Sequence, residues 1–282
     1  MGLYCDRPYV EHTKKVIRSA QRNDVFIIGG GGLLTHYFIP FWNEIYRNRK
    51  HLQYILWGIG FCDHKRSGFK RFLWQEFLWQ ELLAKKIFLK KWKAIVRNSM
   101  ISSFRDENTY RCFRGTNNTF KVGCPSVNFV LDHKKDFPKR LLIHSCNYHL
   151  LNRKEVDAMQ KITDVLANKL DLKKVYTNRK IKGLPELYKW LDLYSSAKIT
   201  VSSSLHGCIL ALSLGSKLIA VSRDWKIEGF LQMVDLEEAI CDIDEIGKKA
   251  QHLGLQKDVS NKIEKIKKEN AYFAQEVKKL IM

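Results

Sequence analysis

The sequence lacks the features that mark secreted, zinc-binding and membrane-spanning proteins. Its seven cysteines are an odd number and include no C-x-x-C pair, so neither a disulfide framework nor a structural zinc site is expected. No apolar run approaches the ~18 residues that a membrane span requires. The first 24 residues carry many charges, which argues against a signal peptide. We therefore expect reduced thiols and a cytoplasmic location.

Acidic residues are scarce relative to basic ones. The 282 residues contain 29 acidic and 49 basic side chains, which gives a formal net charge of +20. Such an excess favours a polyanionic partner, namely a nucleic acid, an acidic membrane surface or a phosphorylated substrate. A lysine-rich proteome would produce the same composition. Because the basic residues are spread along the chain, no specific nucleic-acid partner is expected.

A dinucleotide-binding fingerprint is also missing. Residues 24–28 predict a short strand that runs into four consecutive glycines, but G-x-G-x-x-G with a downstream acid is absent, and no cofactor is expected. A glycine-rich turn lets a ligand or another backbone approach closely; a structural turn at a domain interface is the alternative. If this turn binds a ligand, we expect Gly30, Gly31, Gly32 and His36 to lie on the side of the site that holds the acceptor substrate.

Residues 185–230 carry the strongest pattern. A helix beginning at Pro185 is followed by a β-branched strand over 198–202, a helix over 208–214 closed by Gly215, and a strand over 218–222. In parallel α/β sheets, ligands bind at the carboxyl ends of the strands. A helix N-terminus there favours an anion. The turn at the end of the first strand consists of Ser202, Ser203, Ser204, Leu205, His206 and Gly207.

Two other strand ends carry polar residues. A strand over 54–56 leads to Asp63 and His64; Asp63 is a candidate general base or, alternatively, a helix N-cap. A strand over 140–145 ends in a loop with His144, Cys146 and His149. These three could ligate a metal, but no fourth ligand has regular spacing, so a phosphate-contacting loop is preferred and no metal is expected.

Residues 68–96 contain FLWQE twice in tandem, followed by a lysine-rich aromatic run. Aromatic residues interleaved with basic ones are typical of a helix that lies on a membrane surface. A core helix with a solvated basic face is the alternative. Peripheral membrane contact through this segment is therefore a hypothesis.

Strands and helices alternate on both sides of a charged stretch over 132–139. This pattern predicts an α/β fold with two Rossmann-like domains facing a cleft. The expected domains are an N-terminal acceptor domain over 1–135 and a C-terminal donor-binding domain over 136–282. The last predicted helix, over 261–281, could cross back to the N-terminal domain.

Five motifs together resemble the polysaccharide pyruvyl transferase family, which has a glycosyltransferase-B-like fold. They are DVFIIGGGG at 24–32, GIG at 58–60, RD at 105–106, GCPS at 123–126, and SSLHG at 203–207 with KIEGF at 226–230. Members of the family transfer the carboxyvinyl unit of phosphoenolpyruvate to sugar hydroxyls as a ketal. The resemblance implies that His206 is the acid/base residue and that Arg105 and Lys226 hold the anionic groups of the donor.

Two departures from the family pattern concern the donor. The family usually has Ser-Arg-Leu-His, and Ser204 stands at the arginine position; an Asn-x-Gly-Asp loop in an extra βα unit is also missing. Arginine suits adjacent carboxylate and phosphate groups. Its loss removes hydrogen bonds to charged groups that contribute ~1.5–3 kcal/mol each. Arg223 or Lys226 could compensate.

The first hypothesis is therefore a metal-independent inverting glycosyltransferase with a nucleotide-sugar donor and a glycan acceptor. Asp63 or His64 would deprotonate the acceptor hydroxyl, and His206 would contact the leaving diphosphate. The alternatives are a phosphoenolpyruvate-dependent pyruvyl transferase and a non-enzymatic basic peripheral or nucleic-acid-binding protein. The expected donor-binding residues are Ser202, Ser203, Ser204, Leu205, Gly207, Arg105, Lys226, Arg223, His144 and Ser145.

Overall fold

The structure is a computed structural model that describes residues 7–21, 23–35, 38–61, 78–116, 118–148, 151–177 and 183–282. Its contacts divide the chain into two compact units. The N-terminal unit contains the residues up to Val122 together with Ala271–Met282, and the C-terminal unit contains Gly123–Asn270.

The N-terminal unit is built on a four-stranded sheet in which each strand pairs in parallel with the next one along the chain. Its strands are β1 Val25–Gly29, β2 Gln53–Ile59, β3 Ile101–Phe104 and β4 Thr119–Lys121. Its helices are α1 Arg7–Ser19, α2 Ile39–Asn48, α3 Leu78–Asn98 and α4 Glu107–Phe113. The middle of β2 is fully buried at Tyr54, Ile55 and Leu56, as expected for a parallel strand that is covered on both faces.

The C-terminal unit contains a five-stranded sheet with strand order β6-β5-β7-β8-β9, and every neighbouring pair is parallel. The strands are β5 Leu141–Ser145, β6 Lys173–Tyr176, β7 Ala197–Ser202, β8 Lys217–Val221 and β9 Ile240–Cys241. The helices are α5 Ser126–Asp132, α6 Arg153–Lys169, α7 Leu184–Ser195, α8 Leu205–Ser213, α9 Trp225–Met233 and α10 Ile246–Gln251. Short 3₁₀ turns lie at Glu237–Ala239, Ile243–Glu245 and Leu253–Leu255.

Helices cover the two faces of this second sheet separately. Helices α5, α7, α8 and α9 contribute to one apolar core, and α6 and α10 contribute to the other. Strands alternating with helices on both faces form a Rossmann-like arrangement. The predicted fold class, α/β with two Rossmann-like domains, is therefore confirmed.

The last helix, α11 Ser260–Ile281, belongs to both units. Ile263 and Ile266 lie in the core of the C-terminal unit, and a side-chain carbon at Gly123 would lie 2.4 Å from Ile266 Cγ2. This close approach explains why glycine occupies position 123. Further along the helix, Phe273 and Val277 lie in the core of the N-terminal unit. The expected boundary between residues 135 and 136 falls inside the C-terminal unit, and the division of the chain at that point stays a prediction.

In the part of the chain that the structure describes, no helix combines the length and the apolar character that crossing a membrane would require.

We expect Phe273→Ala to lower the free energy of unfolding by about 3–5 kcal/mol, because it removes a fully buried ring from the core. The ring makes edge-to-face contacts with Trp57 and Phe120 at centroid distances of 5.3 and 5.6 Å. The matched control is Tyr272→Ala, which truncates an exposed neighbour on the same helix and should cost under about 1 kcal/mol. Urea denaturation measures both; equal losses would contradict the assigned orientation of the helix.

Candidate functional site

The ends of two neighbouring strands in the C-terminal unit form what we call the serine turn, Ser145 together with Ser202, Ser203 and Ser204. Ser145 at the end of β5 pairs in parallel register with Ser202 at the end of β7. The backbone N–H of Ser203 donates to the Ser145 carbonyl at 2.9 Å. The N–H of Asn147 donates to Ser203 Oγ at 2.8 Å. These bonds join the loop after β5 to the turn after β7.

Ser204 caps helix α8, since its Oγ accepts the backbone N–H of Gly207 at 3.0 Å. The same oxygen lies 3.2 Å from Ser145 Oγ, and the Ser204 N–H donates to Ser202 Oγ at 3.1 Å. A side-chain carbon at Gly207 would lie 2.3 Å from Ser202 Oγ and 2.6 Å from Ser145 Oγ. Glycine is therefore required where α8 begins against the serines.

His206 lies beside this turn. It is the second residue of α8 and its side chain is exposed, whereas Leu205 packs into the core. The histidine is therefore presented to solvent at the carboxyl edge of the sheet, the edge at which ligands bind in such folds.

The two basic residues that were expected to replace the missing arginine are both paired with carboxylates. Arg223 donates to Asp242 Oδ1 at 2.6 Å and to Glu155 Oε1 at 3.3 Å. Lys226 forms an ion pair of 2.8 Å with Asp224, whose side chain is fully buried. Asp224 also caps α9 through the Lys226 N–H at 3.0 Å. The sequence carried a signal for this cap, because Asp224 directly precedes an apolar helix.

His144 does not face the serine turn. Its neighbour Ser145 contacts Ser204, whereas His144 is buried against α6, with Nδ1 3.1 Å from Thr163 Oγ1. Burial, reinforced by the nearby charge of Lys174, lowers the pKa of His144 to about 4. The placement gives His144 a packing role in the core, and the ligand-contacting role expected from the sequence stays a prediction.

A second polar group lies at the carboxyl edge of the sheet in the N-terminal unit. Arg105 follows β3 and is only 4% exposed, yet among the described residues its Nε and Nη2 atoms have no hydrogen-bond partner. Asp106 caps α4 by accepting from the N–H and the hydroxyl of Thr109 at 2.7 and 2.9 Å. A side-chain carbon at Gly60 would lie 2.6 Å from Asp106 Oδ2 and 2.7 Å from Arg105 Nε, so glycine is required where these two side chains pack against β2.

The glycine-rich turn meets the same edge. Gly30 and Gly31 have φ values of +77° and +88°, a conformation that favours glycine. The Gly60 N–H donates to the Gly31 carbonyl at 3.2 Å. The structure thereby brings Gly30, Gly31 and Gly32 to the side of Arg105, within one unit.

Three site residues that were predicted from the sequence lie outside the described residues: His36, Asp63 and His64. Residues 68–77 of the segment expected at a membrane also lie outside them. In the rest of that segment, Ile87 and Lys90 of α3 are exposed, and membrane contact stays a prediction. Among the described residues, no group of three or more His, Cys, Asp or Glu side chains is arranged to hold a metal ion.

Comparison with known families decides the affiliation of the chain. The family model for polysaccharide pyruvyl transferase matches residues 3–224, a span that contains the glycine turn, Arg105 and the serine turn. The chain belongs to the polysaccharide pyruvyl transferase family. This membership supports the interpretation that the protein is a transferase of glycan assembly. No curated protein sequence matches the chain significantly.

Three solved structures are similar to the chain at low sequence identity. A protein assigned as a UDP-N-acetylglucosamine 2-epimerase from Listeria monocytogenes superposes with a TM-score of 0.53 and 11% identity, covering 90% of this chain and 72% of that one. A UDP-GlcNAc 2-epimerase from Methanocaldococcus jannaschii gives 0.49 and 13%, covering 93% and 80%. Accessory secretory proteins 1, 2 and 3 of Streptococcus pneumoniae give 0.48 and 9%, covering 97% and 56%. The first likeness supports the fold class of this pyruvyl transferase family member.

Stability should fall in acid because of His144. Its pKa is lowered to about 4 in the folded state, against about 6.5 when unfolded. The unfolded chain therefore binds the extra proton first as the pH falls below 6.5, and the free energy of unfolding decreases until about pH 4. We expect a loss of roughly 2 kcal/mol from this group between pH 7 and 5.

Urea denaturation at both pH values measures this loss. His144→Gln should flatten the dependence by that amount, and the control His252→Gln, which changes an exposed histidine, should leave it unchanged. If the free energy of unfolding of His144→Gln falls with pH as steeply as that of the wild type, then His144 is already protonated in the folded protein.

Proposed function

We propose that the protein transfers a sugar from a nucleotide-sugar donor to a glycan hydroxyl, with the donor diphosphate bound at the serine turn. The observation that carries the proposal is the neutral, hydrogen-bonding character of this turn. Hydroxyl groups of Ser145, Ser202, Ser203 and Ser204 converge at the start of α8. A helix N-terminus with hydroxyl donors suits a diphosphate.

The charges around the turn favour this donor over phosphoenolpyruvate. A small molecule that carries a carboxylate and a phosphate close together calls for a guanidinium. Ser204 supplies none, and Arg223 is already bonded to Asp242 and Glu155. Breaking those ion pairs to bind a donor would leave two carboxylates without their partner. A diphosphate, in contrast, spreads its charge over several oxygens that hydroxyl and backbone N–H groups can reach.

His206 would act beside the leaving group in this scheme. Glycosyl transfer places negative charge on the departing diphosphate, and a hydrogen-bond donor at that point stabilises the transition state. The exposed imidazole at the second position of α8 can supply such a donor. The base that deprotonates the acceptor is proposed from the sequence alone, as Asp63 or His64.

A nucleotide sugar such as UDP-glucose should raise the melting temperature of the wild-type protein, and phosphoenolpyruvate should not. Ser204→Ala should weaken the nucleotide-sugar affinity about tenfold, because it removes a hydroxyl at the diphosphate. It should also cost about 1 kcal/mol of stability through the lost cap. Thermal-shift titration measures both effects.

The control for this experiment is Ser196→Ala. It removes the bond from Ser196 Oγ to the Asp192 carbonyl, 2.9 Å long, just before the amino end of β7 and far from the turn. It should leave the nucleotide-sugar affinity unchanged. A large shift produced by phosphoenolpyruvate alone would overturn the glycosyltransferase proposal.

One observation favours a second candidate function, the transfer of a pyruvyl group from phosphoenolpyruvate. Among the described residues, the buried guanidinium of Arg105 has two nitrogen atoms without a hydrogen-bond partner, and a side chain at Gly60 would collide with its Nε atom. A buried charge without hydrogen bonds is costly unless a ligand completes it. A carboxylate or phosphate group would do so.

Arg105→Met tests this second candidate without any acceptor substrate. If the guanidinium is kept for an anion, the apolar replacement should stabilise the ligand-free protein by about 1–2 kcal/mol. It should also remove any stabilisation of the wild type by phosphoenolpyruvate or inorganic phosphate. Urea denaturation of the wild type and the variant, without anion and with each anion at about ten times its wild-type Kd, measures both changes in stability. Destabilisation by Arg105→Met would show that Arg105 is a structural residue.

A further inference from the structure

Exposed aromatic side chains are concentrated at the carboxyl edge of the C-terminal sheet. In the described part of the C-terminal unit, the exposed aromatic residues are Phe137, Tyr148, Tyr176, Tyr188 and Trp225. Tyr148, Tyr176 and Trp225 end or closely follow a strand at this edge. Tyr176 lies against His144 and Lys174, on the side of α6. Tyr148 and Trp225 are 54% and 47% exposed.

The strand order places these two residues after the two strands that flank β7, and Tyr148 follows the strand that ends in Ser145 of the serine turn. Tyr148 comes three residues after β5, and Trp225 is the first residue of α9 after β8. Strand β7, which carries the turn, lies between β5 and β8. Since neighbouring strands are about 4.8 Å apart, each aromatic residue follows a strand that lies about one spacing from β7. Helix α9 also packs beside α8, so Trp225 begins the helix next to that of His206.

We propose that Trp225 and Tyr148 form the binding platform for the nucleobase of the donor. The inference rests on the proposed function, because it takes the serine turn as the position of the diphosphate. Flat rings stack on tryptophan and tyrosine, and a stacked base typically contributes a factor of about 5 to 150 in affinity. A nucleoside diphosphate needs such a surface beside its phosphate site, whereas phosphoenolpyruvate has no ring to place there.

This assignment also gives a reason for the exposure of Trp225. Isolated exposed aromatic residues are common on protein surfaces. Here a half-exposed indole stands at the first position of a helix whose cap, Asp224, is fully buried and hydrogen-bonded. The backbone under the ring is therefore held in place, as a pre-organised stacking surface requires.

The experiment compares UDP with pyrophosphate, which shares the diphosphate and lacks the base. Isothermal titration gives the Kd of each for the wild type, Trp225→Ala, Trp225→Phe and Tyr148→Ala. We expect Trp225→Ala to weaken UDP at least fivefold and to leave pyrophosphate within twofold. Trp225→Phe, which keeps a ring, should retain UDP binding within about threefold of the wild type. The control Tyr272→Ala removes an exposed ring in the N-terminal unit and should change neither value.

The outcomes separate this inference from the proposed function. If UDP and pyrophosphate both bind and Trp225→Ala and Tyr148→Ala leave UDP unchanged, the platform is wrong and the diphosphate site stands. If the two ligands lose affinity equally in Trp225→Ala, the residue supports the diphosphate site and the base platform is overturned. If neither ligand binds the wild-type protein, the proposed function fails and the platform fails with it.

Discussion

The candidate site of the C-terminal unit depends on one register, the parallel pairing of Ser145 in β5 with Ser202 in β7. Three of the four serine side chains at this point are buried, and a buried hydroxyl without a partner is costly. Among the described residues, these hydroxyls are bonded to one another, to backbone groups of the same turn and to the side chains of Tyr194, Cys146 and Cys208. A shift of one residue would turn the serines toward the other face of the sheet and remove the cap of α8.

The two units satisfy their polar groups in different ways. In the C-terminal unit, the hydroxyls of the turn are bonded to one another, so a ligand would exchange one set of hydrogen bonds for another at little cost in reorganisation. In the described part of the N-terminal unit, the buried guanidinium of Arg105 has two nitrogen atoms without a hydrogen-bond partner. This unpaired burial lowers the stability of the ligand-free protein. An anion bound to the guanidinium would remove this desolvation cost, and the free energy gained in this way would add to the observed affinity for the anion.

The sequence allowed the fold to be predicted where the signals are local. The strand predicted over 198–202 is observed as β7 Ala197–Ser202, and the strand-turn-helix pattern around the serine turn follows from β-branched runs and a closing glycine. The partners of Arg223 could not be predicted, because Glu155 lies 68 residues away and only the packing of α6 brings it near.

The inward direction of His144 could not be predicted either. Alternation along a strand separates His144 from Ser145 without saying which face holds the site. The cap formed by Ser204 was visible in principle, as a serine directly before an apolar helix.

The path of α11 has a consequence for how the chain is made. The core of the N-terminal unit takes Phe273 and Val277 from the last ten or so residues, while the sheet they cover is built from strands that end at Lys121. During synthesis, these early strands would leave the ribosome long before their covering helix, at about 5–20 residues per second. One apolar face of that sheet then stays uncovered until α11 has been made. The unit whose strands are made first is thus completed only by a helix that is made much later, and its exposed face in the interval is a natural target for chaperones.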